Sequence, residues 1–185
     1  MALRIPIRVL IPAAVFIVLV AVLAVGIEHS RDVGTIHSPL VGRPGPAWEL
    51  PTLTDAGRKV GSSQLRGRWY LLNVWATWCF ECRAEHDTLL QMQKVSPVPI
   101  VGMDWDDDDA RALDYISRLG NPYEAIAADR DGHTAVDWGV YGAPETFLVD
   151  DQGRIVYKYV GPLTLEVWRT EFVSRLPANP APSGS

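Results

Sequence analysis

Between Val9 and Ile27 the chain runs VLIPAAVFIVLVAVLAVGI, nineteen residues without a charge. A helix that is apolar all round has no polar face to show water, so a run of this length points to a lipid environment. At about 1.5 Å of rise per residue it reaches across the hydrocarbon core of a bilayer. Arg4 and Arg8 precede the run and Glu28 follows it. The positive-inside bias then puts the N-terminus in the cytoplasm and the rest of the chain outside. A cleaved signal peptide is the competing reading, because Ala24-Val25-Gly26 loosely resembles a small-x-small cleavage site. The apolar run is longer than the roughly 7 to 15 residues of a signal-peptide core. Residues 1–27 are therefore expected to be a cytoplasmic segment and an uncleaved transmembrane anchor.

Without Arg4 and Arg8, the exported part keeps 15 of the 17 basic residues and all 22 acidic ones, a net charge of −7. Such a balance argues against nucleic acid as a partner, which calls for a basic face. It is compatible with a basic protein substrate. Residues 28–46 are rich in Pro, Gly, Ser and His, have no hydrophobic period, and read as a linker. Residues 177–185, PANPAPSGS, cannot build a core and read as a disordered tail. The folded domain is expected over 47–176, long enough for one proper core.

Within it, Trp69–Trp75 reads as a buried strand, followed by a helix from Cys82 to Val95 carrying Leu89, Leu90 and Met92. Pro99–Met103 is a second strand, and a helix from about Asp108 to Leu119 stops at Gly120-Asn121-Pro122. Thr146–Asp150 and Arg154–Val160, separated by Asp151-Gln152-Gly153, form a hairpin. A last helix, Thr164–Leu176, puts Leu165, Trp168, Phe172 and Leu176 on one face. The order predicts an α/β fold, a mixed sheet with helices on both faces.

The chain's two cysteines, Cys79 and Cys82, stand in the stretch WATWCFECR, right after the first strand and at the start of the next helix. Two cysteines are too few for a disulfide-dense scaffold. Unpaired backbone N–H groups and the helix dipole favour an anion at that position, which makes Cys79 the expected nucleophile and Cys82 the resolving thiol. CxxC is also half of a zinc site, and His86, one turn beyond Cys82, could complete a three-ligand copper or zinc site. The plainer reading of His86 is an exposed polar helix residue. Glu81 between the cysteines opposes thiolate formation and so favours a reductant, or else it merely complements the helix N-terminus. The run Asp106–Asp109 lacks the alternating ligands of a calcium loop and reads as negative charge at a helix start. Trp78, Trp138 and Tyr141 read as core packing mixed with shielding of the cysteines.

The segment Trp75-Ala-Thr-Trp-Cys-Phe-Glu-Cys-Arg-Ala-Glu-His86, followed by Gly139-Val-Tyr-Gly-Ala-Pro-Glu-Thr-Phe147, resembles the membrane-anchored thioredoxin-like reductases of bacterial cytochrome c maturation, the CcmG/DsbE family. The likeness runs from about Pro44 to Trp168. It implies a thioredoxin-like fold and a redox-active Cys79–Cys82 disulfide with no bound cofactor and no metal. It also implies a cis-proline at Pro144 facing that disulfide, and an acidic residue, Glu145, that exchanges protons with a thiol. Ala143, Trp78 and Phe80 become the expected substrate-binding positions. The implied partners are apocytochrome c, or another disulfide-bearing exported protein, and a membrane thiol-reductant donor. The implied place is the bacterial inner membrane, single-pass, with the catalytic domain in the periplasm. Two departures matter. Asn73 stands where thioredoxin has a buried Asp, leaving Glu145 as the expected proton carrier. Phe80 stands where the family commonly has Pro. A general periplasmic reductase with another client, a metal or haem-delivery chaperone on the same cysteines, and a passive stapled domain remain the rival readings.

Overall fold

The computed structural model describes residues 7–29 and 38–178, with side chains over 11–26 and 38–178. The chain divides between Val33 and Gly34 into two units. The first contains helix α1, Ile7–His29, with Pro12 in its first turns. Its described apolar side chains are exposed, Phe16 and Ile17 by about two thirds. Among the described residues no helix is long and apolar enough to cross a membrane; the expected anchor lies partly outside them, as do residues 30–37 and 179–185.

The second unit is built on one seven-stranded sheet. In chain order its elements are β1 (Glu49–Thr52), β2 (Asp55–Gly61), β3 (Tyr70–Trp75), α2 (Phe80–Val95), β4 (Ile100–Trp105), α3 (Asp109–Leu119), β5 (Ala125–Asp129), α4 (His133–Asp137), β6 (Glu145–Val149) and β7 (Ile155–Val160). A helical segment closes the domain: α5 (Leu165–Val167) widens into a π turn over Trp168–Phe172 and tightens into a 3₁₀ turn over Val173–Arg175. The strand order is β2-β1-β5-β4-β3-β6-β7. β3, β4 and β5 are parallel, while β6 and β7 on one side and β1 and β2 on the other run antiparallel.

Strand β3 is buried at every position, as a central strand covered on both faces must be. Its pleat separates two cores. Leu71 and Trp75 join the one that holds Leu89, Met92, Tyr115 and Phe172. Tyr70, Leu72 and Val74 join the other, with Val101, Met103, Trp138 and Phe147. Asn73 shares the pleat face of Leu71 and Trp75 and so points to the side of α2.

The expected elements are present with small shifts at their ends, except that the last helix, expected over Thr164–Leu176, is α-helical only over Leu165–Val167 and continues as π and 3₁₀ turns. Four elements were not anticipated: β1 and β2, which form a hairpin, β5 and α4. Nor is the stretch 38–46 free of the domain. Gly42 N donates to Ile155 O at 2.7 Å, Ile155 N to Arg43 O at 2.9 Å and Gly45 N to Gly153 O at 2.9 Å. Trp138 Nε1 donates to Pro46 O at 3.2 Å. Backbone pairing to the first residue of β7 and the turn before it needs no hydrophobic period, which is why composition alone reads this stretch as a linker.

Candidate active site

Cys79 and Cys82 form a disulfide at the N-terminus of α2, with their Cα atoms 5.3 Å apart. Cys79 is the N-cap, and its sulfur accepts a hydrogen bond from Cys82 N at 3.0 Å. One of the four orphan donors of the helix start is thereby spent on sulfur, which stabilises negative charge there once the disulfide opens. Both cysteines are nearly closed to solvent, Cys79 at 6% and Cys82 at 3% exposure.

The residues on either side of Cys79 are open by contrast. Trp78 is 55% and Phe80 85% exposed. Trp78 is held from behind, its Nε1 donating to Asp106 O at 3.0 Å and its ring meeting Trp105 edge-on at 5.6 Å. Asp107 accepts from Thr77 Oγ1 at 2.9 Å. Asp108 caps α3 by accepting from Arg111 N at 3.0 Å. The four-aspartate run thus starts a helix and fixes the approach to Cys79. Asp104 at the end of β4, 2% exposed, has its carboxyl pushed up to about 8 by burial, with the charges of Asp107 and Asp109 adding to it.

Across from the cysteines the Ala143–Pro144 bond is cis, as the resemblance implied. Ala143 O lies 3.3 Å from Cys79 Sγ, a distance at which the reduced thiol can donate to it. Tyr141, on the same loop, is 57% exposed. Glu145 is fully buried; it accepts from Tyr141 N at 3.2 Å and lies 2.8 Å from Lys158 Nζ. Burial raises its pKa, and the Lys158 contact works against that rise.

Another carboxyl, passed over in the sequence, lies behind the disulfide. Glu85 is 1% exposed, on the same buried face of α2 as Cys82 and three residues beyond it. Its Oε1 accepts from Asn73 Nδ2 at 2.9 Å and its Oε2 from Leu163 N at 2.7 Å. Asn73 also donates to Thr146 Oγ1 and accepts from Tyr123 OH. No cation is among these partners, so burial dominates and the carboxyl is pushed up to about 7. Asn73 cannot titrate, but it presents a group that can. The signal was available: Glu85 falls on the period of Cys82, Leu89 and Met92, where an acid is out of place unless it has partners.

His86 is buried rather than exposed. Its Nε2 lies 3.1 Å from Gly120 O and its ring meets Tyr115 edge-on at 5.1 Å. Burial lowers its pKa. It ties α2 to the end of α3, and among the described residues no group of three His, Cys, Asp or Glu could hold a metal ion. Trp138 is core; only Trp78 and Tyr141 of the three aromatics border the site.

The redoxin family profile matches residues 40–171. A thiol:disulfide interchange protein DsbE of Allochromatium vinosum is 42% identical over 164 residues, 89% of this chain and 90% of that one. The DsbE of Escherichia coli K12 is 40% identical over 166 residues, covering 88% and 89%. Among solved structures, a putative DsbE from Chlorobium tepidum is 26% identical, covers 72% of this chain and 96% of its own, and superposes with a TM-score of 0.63. A DsbF homologue from Corynebacterium diphtheriae, 23% identical over 77% of this chain and 92% of its own, shares the fold with a TM-score of 0.64.

Proposed function

Since the chain belongs to the redoxin family, among thiol:disulfide interchange proteins of the DsbE type, we propose that it reduces the haem-attachment Cys-x-x-Cys-His disulfide of an apocytochrome c outside the bacterial inner membrane. Thiol:disulfide exchange through its own cysteine pair is its chemistry. The observation that carries the assignment of roles is the N-cap geometry, in which Cys79 Sγ receives the Cys82 N–H. It favours a thiolate on Cys79 and leaves Cys82 without that support.

Reduced Cys79 attacks one sulfur of the client disulfide. That S–S bond breaks, and the released client thiolate takes up a proton. Cys82 then loses its proton, attacks Cys79 Sγ and expels the second client thiolate, leaving the client reduced and Cys79–Cys82 oxidised. Glu85, its carboxyl raised to about 7 and on Cys82's own face of the helix, is placed to take that proton. Glu145, tied to Lys158, is the less free of the two acids. An extended client segment can align along the backbone of Ala143, with Trp78 and Phe80 bordering the sulfur.

A two-electron donor must return the pair to the dithiol, and we assign this to a membrane thiol reductant, because an exported compartment has no glutathione buffer. Residues 1–27 act as a single-pass anchor with the catalytic domain in the periplasm; the 19-residue uncharged run supports this. The test is direct: the reduced domain should open a disulfide-closed Cys-x-x-Cys-His peptide much faster than dithiothreitol does at equal thiol concentration. Equal rates would reject the client assignment.

A further inference from the structure

The loop that faces Cys79 is gathered around one buried ammonium. Lys158, on the edge strand β7, has only 3% of its side chain exposed. Its Nζ donates to Gly139 O at 2.8 Å, where the loop begins. It lies 4.9 Å from the centre of the Tyr141 ring in the middle of the loop. It lies 2.8 Å from Glu145 Oε2 where the loop enters β6. Phe147, directly opposite Lys158 in the β6–β7 register, covers the ammonium with its ring at 5.3 Å. Glu145 in turn accepts from Tyr141 N. Start, middle and end of one short loop are thus bound to a single charge, and between them sits Ala143, whose carbonyl is 3.3 Å from Cys79 Sγ.

A lysine is rarely buried without partners that repay its desolvation. Here, apart from Phe147, each partner belongs to the ledge opposite the nucleophile. We propose that Lys158 is a positioning residue for the exchange reaction: it holds the Gly139–Glu145 ledge at the distance from Cys79 at which the backbone of a disulfide-bearing peptide can align. This rests on the peptide-disulfide reading above. It predicts a division between substrates. A small aromatic disulfide needs only the sulfur of Cys79, whereas a peptide also needs the ledge, and misplacement of a positioning element costs most where alignment matters.

The experiment uses the reduced full chain with two substrates, 5,5′-dithiobis(2-nitrobenzoate) and a disulfide-closed Cys-x-x-Cys-His peptide. Lys158→Met should raise KM for the peptide about tenfold while kcat/KM for the small disulfide stays within about twofold of wild type. Lys158→Arg, which keeps the charge, should restore most of the peptide affinity. If Lys158→Met does not fold, Lys158→Gln, whose amide keeps a donor on the buried side chain without the charge, is read in its place. Unchanged KM for the peptide, or equal loss on both substrates, overturns the proposal. A wild-type protein that attacks the small disulfide but does not bind the peptide removes the reading on which the proposal rests, and the proposal with it.

Discussion

Asn73 on β3 and Glu85 on α2 are joined by a 2.9 Å hydrogen bond inside the core, with Glu85 three residues along the buried face of α2 from Cys82. The amide supplies a donor but no charge, so nothing ionic offsets the burial of the carboxyl, and it titrates at about 7. An acid held there can exist in both forms at neutral pH, which is the requirement for passing a proton to or from a thiol.

If Glu85 takes the proton of Cys82, resolution of the mixed disulfide should accelerate as pH rises through about 7 in the wild type. Glu85→Gln should slow resolution on the order of 100-fold and abolish that limb. Stopped-flow measurement of product release between pH 5 and pH 9 checks this. A Gln variant with the wild-type profile would exclude Glu85 from proton transfer.

The same carboxyl makes stability depend on pH. Its folded-state value lies above the ordinary 4.5, so the folded protein holds the proton more tightly than the unfolded chain does. The contribution is fully present below pH 4.5 and is lost as pH rises to about 7, by about 3 kcal/mol. Asp104, raised to about 8, extends the decline in the same direction. Urea titrations of the oxidised domain at pH 5, 6, 7 and 8 should show falling stability. Glu85→Gln should flatten the part between pH 5 and pH 7.

Phe80 is 85% exposed at the first position of α2. Replacing it with Ala removes little buried area, so stability should change by less than about 0.5 kcal/mol. On the proposed reading, in which the exposed phenyl ring borders the client's approach to Cys79, peptide KM should rise. Phe80→Pro should also fold, since Pro is well tolerated at the first helical position. A thermal melt with steady-state kinetics on both variants separates the two effects, and unchanged KM would remove Phe80 from substrate contact.

His86 is tied to Gly120 O rather than turned towards the cysteines. Chelator treatment should leave melting temperature and exchange rate unchanged. His86→Ala should cost about 1–3 kcal/mol through the lost contact between α2 and α3. Stoichiometric zinc or copper on the purified reduced domain would reverse this and favour the chaperone reading.

Where local chemistry acts alone, the sequence is easy to read. Asp108 caps α3 and Gly120 ends it, as the residue types demand. The β6–β7 turn is closed by Asp150 Oδ1, which accepts from Gln152 N and Arg154 N, with Gly153 at φ 78°. The cysteines' place at a helix start follows from the strand before them. What was hidden depended on tertiary cover. Strand β5 is Ala125-Ile-Ala-Ala-Asp129, poor in β-branched residues, and it is held as a strand by parallel pairing to β4. β2 exposes its first five residues and carries no apolar alternation. Within the site, the motifs locate Cys79, Cys82 and the cis Ala143–Pro144 bond. The partners of Glu85 and Glu145, Asn73 and Leu163 for the first and Lys158 for the second, are set by contacts 12 to 78 residues apart, beyond the reach of local pattern.

In the proposed reaction Cys79 attacks a client disulfide and Cys82 resolves it. Replacing Cys82 with Ser leaves the attack intact and blocks the second step. Mass spectrometry of the Cys82→Ser chain, incubated with an oxidised apocytochrome c or its Cys-x-x-Cys-His peptide, should find a stable adduct linked through Cys79. No adduct with Cys82→Ser, or one that forms equally well with Cys79→Ser, would rule out Cys79 as the attacking thiol and Cys82 as the resolving one.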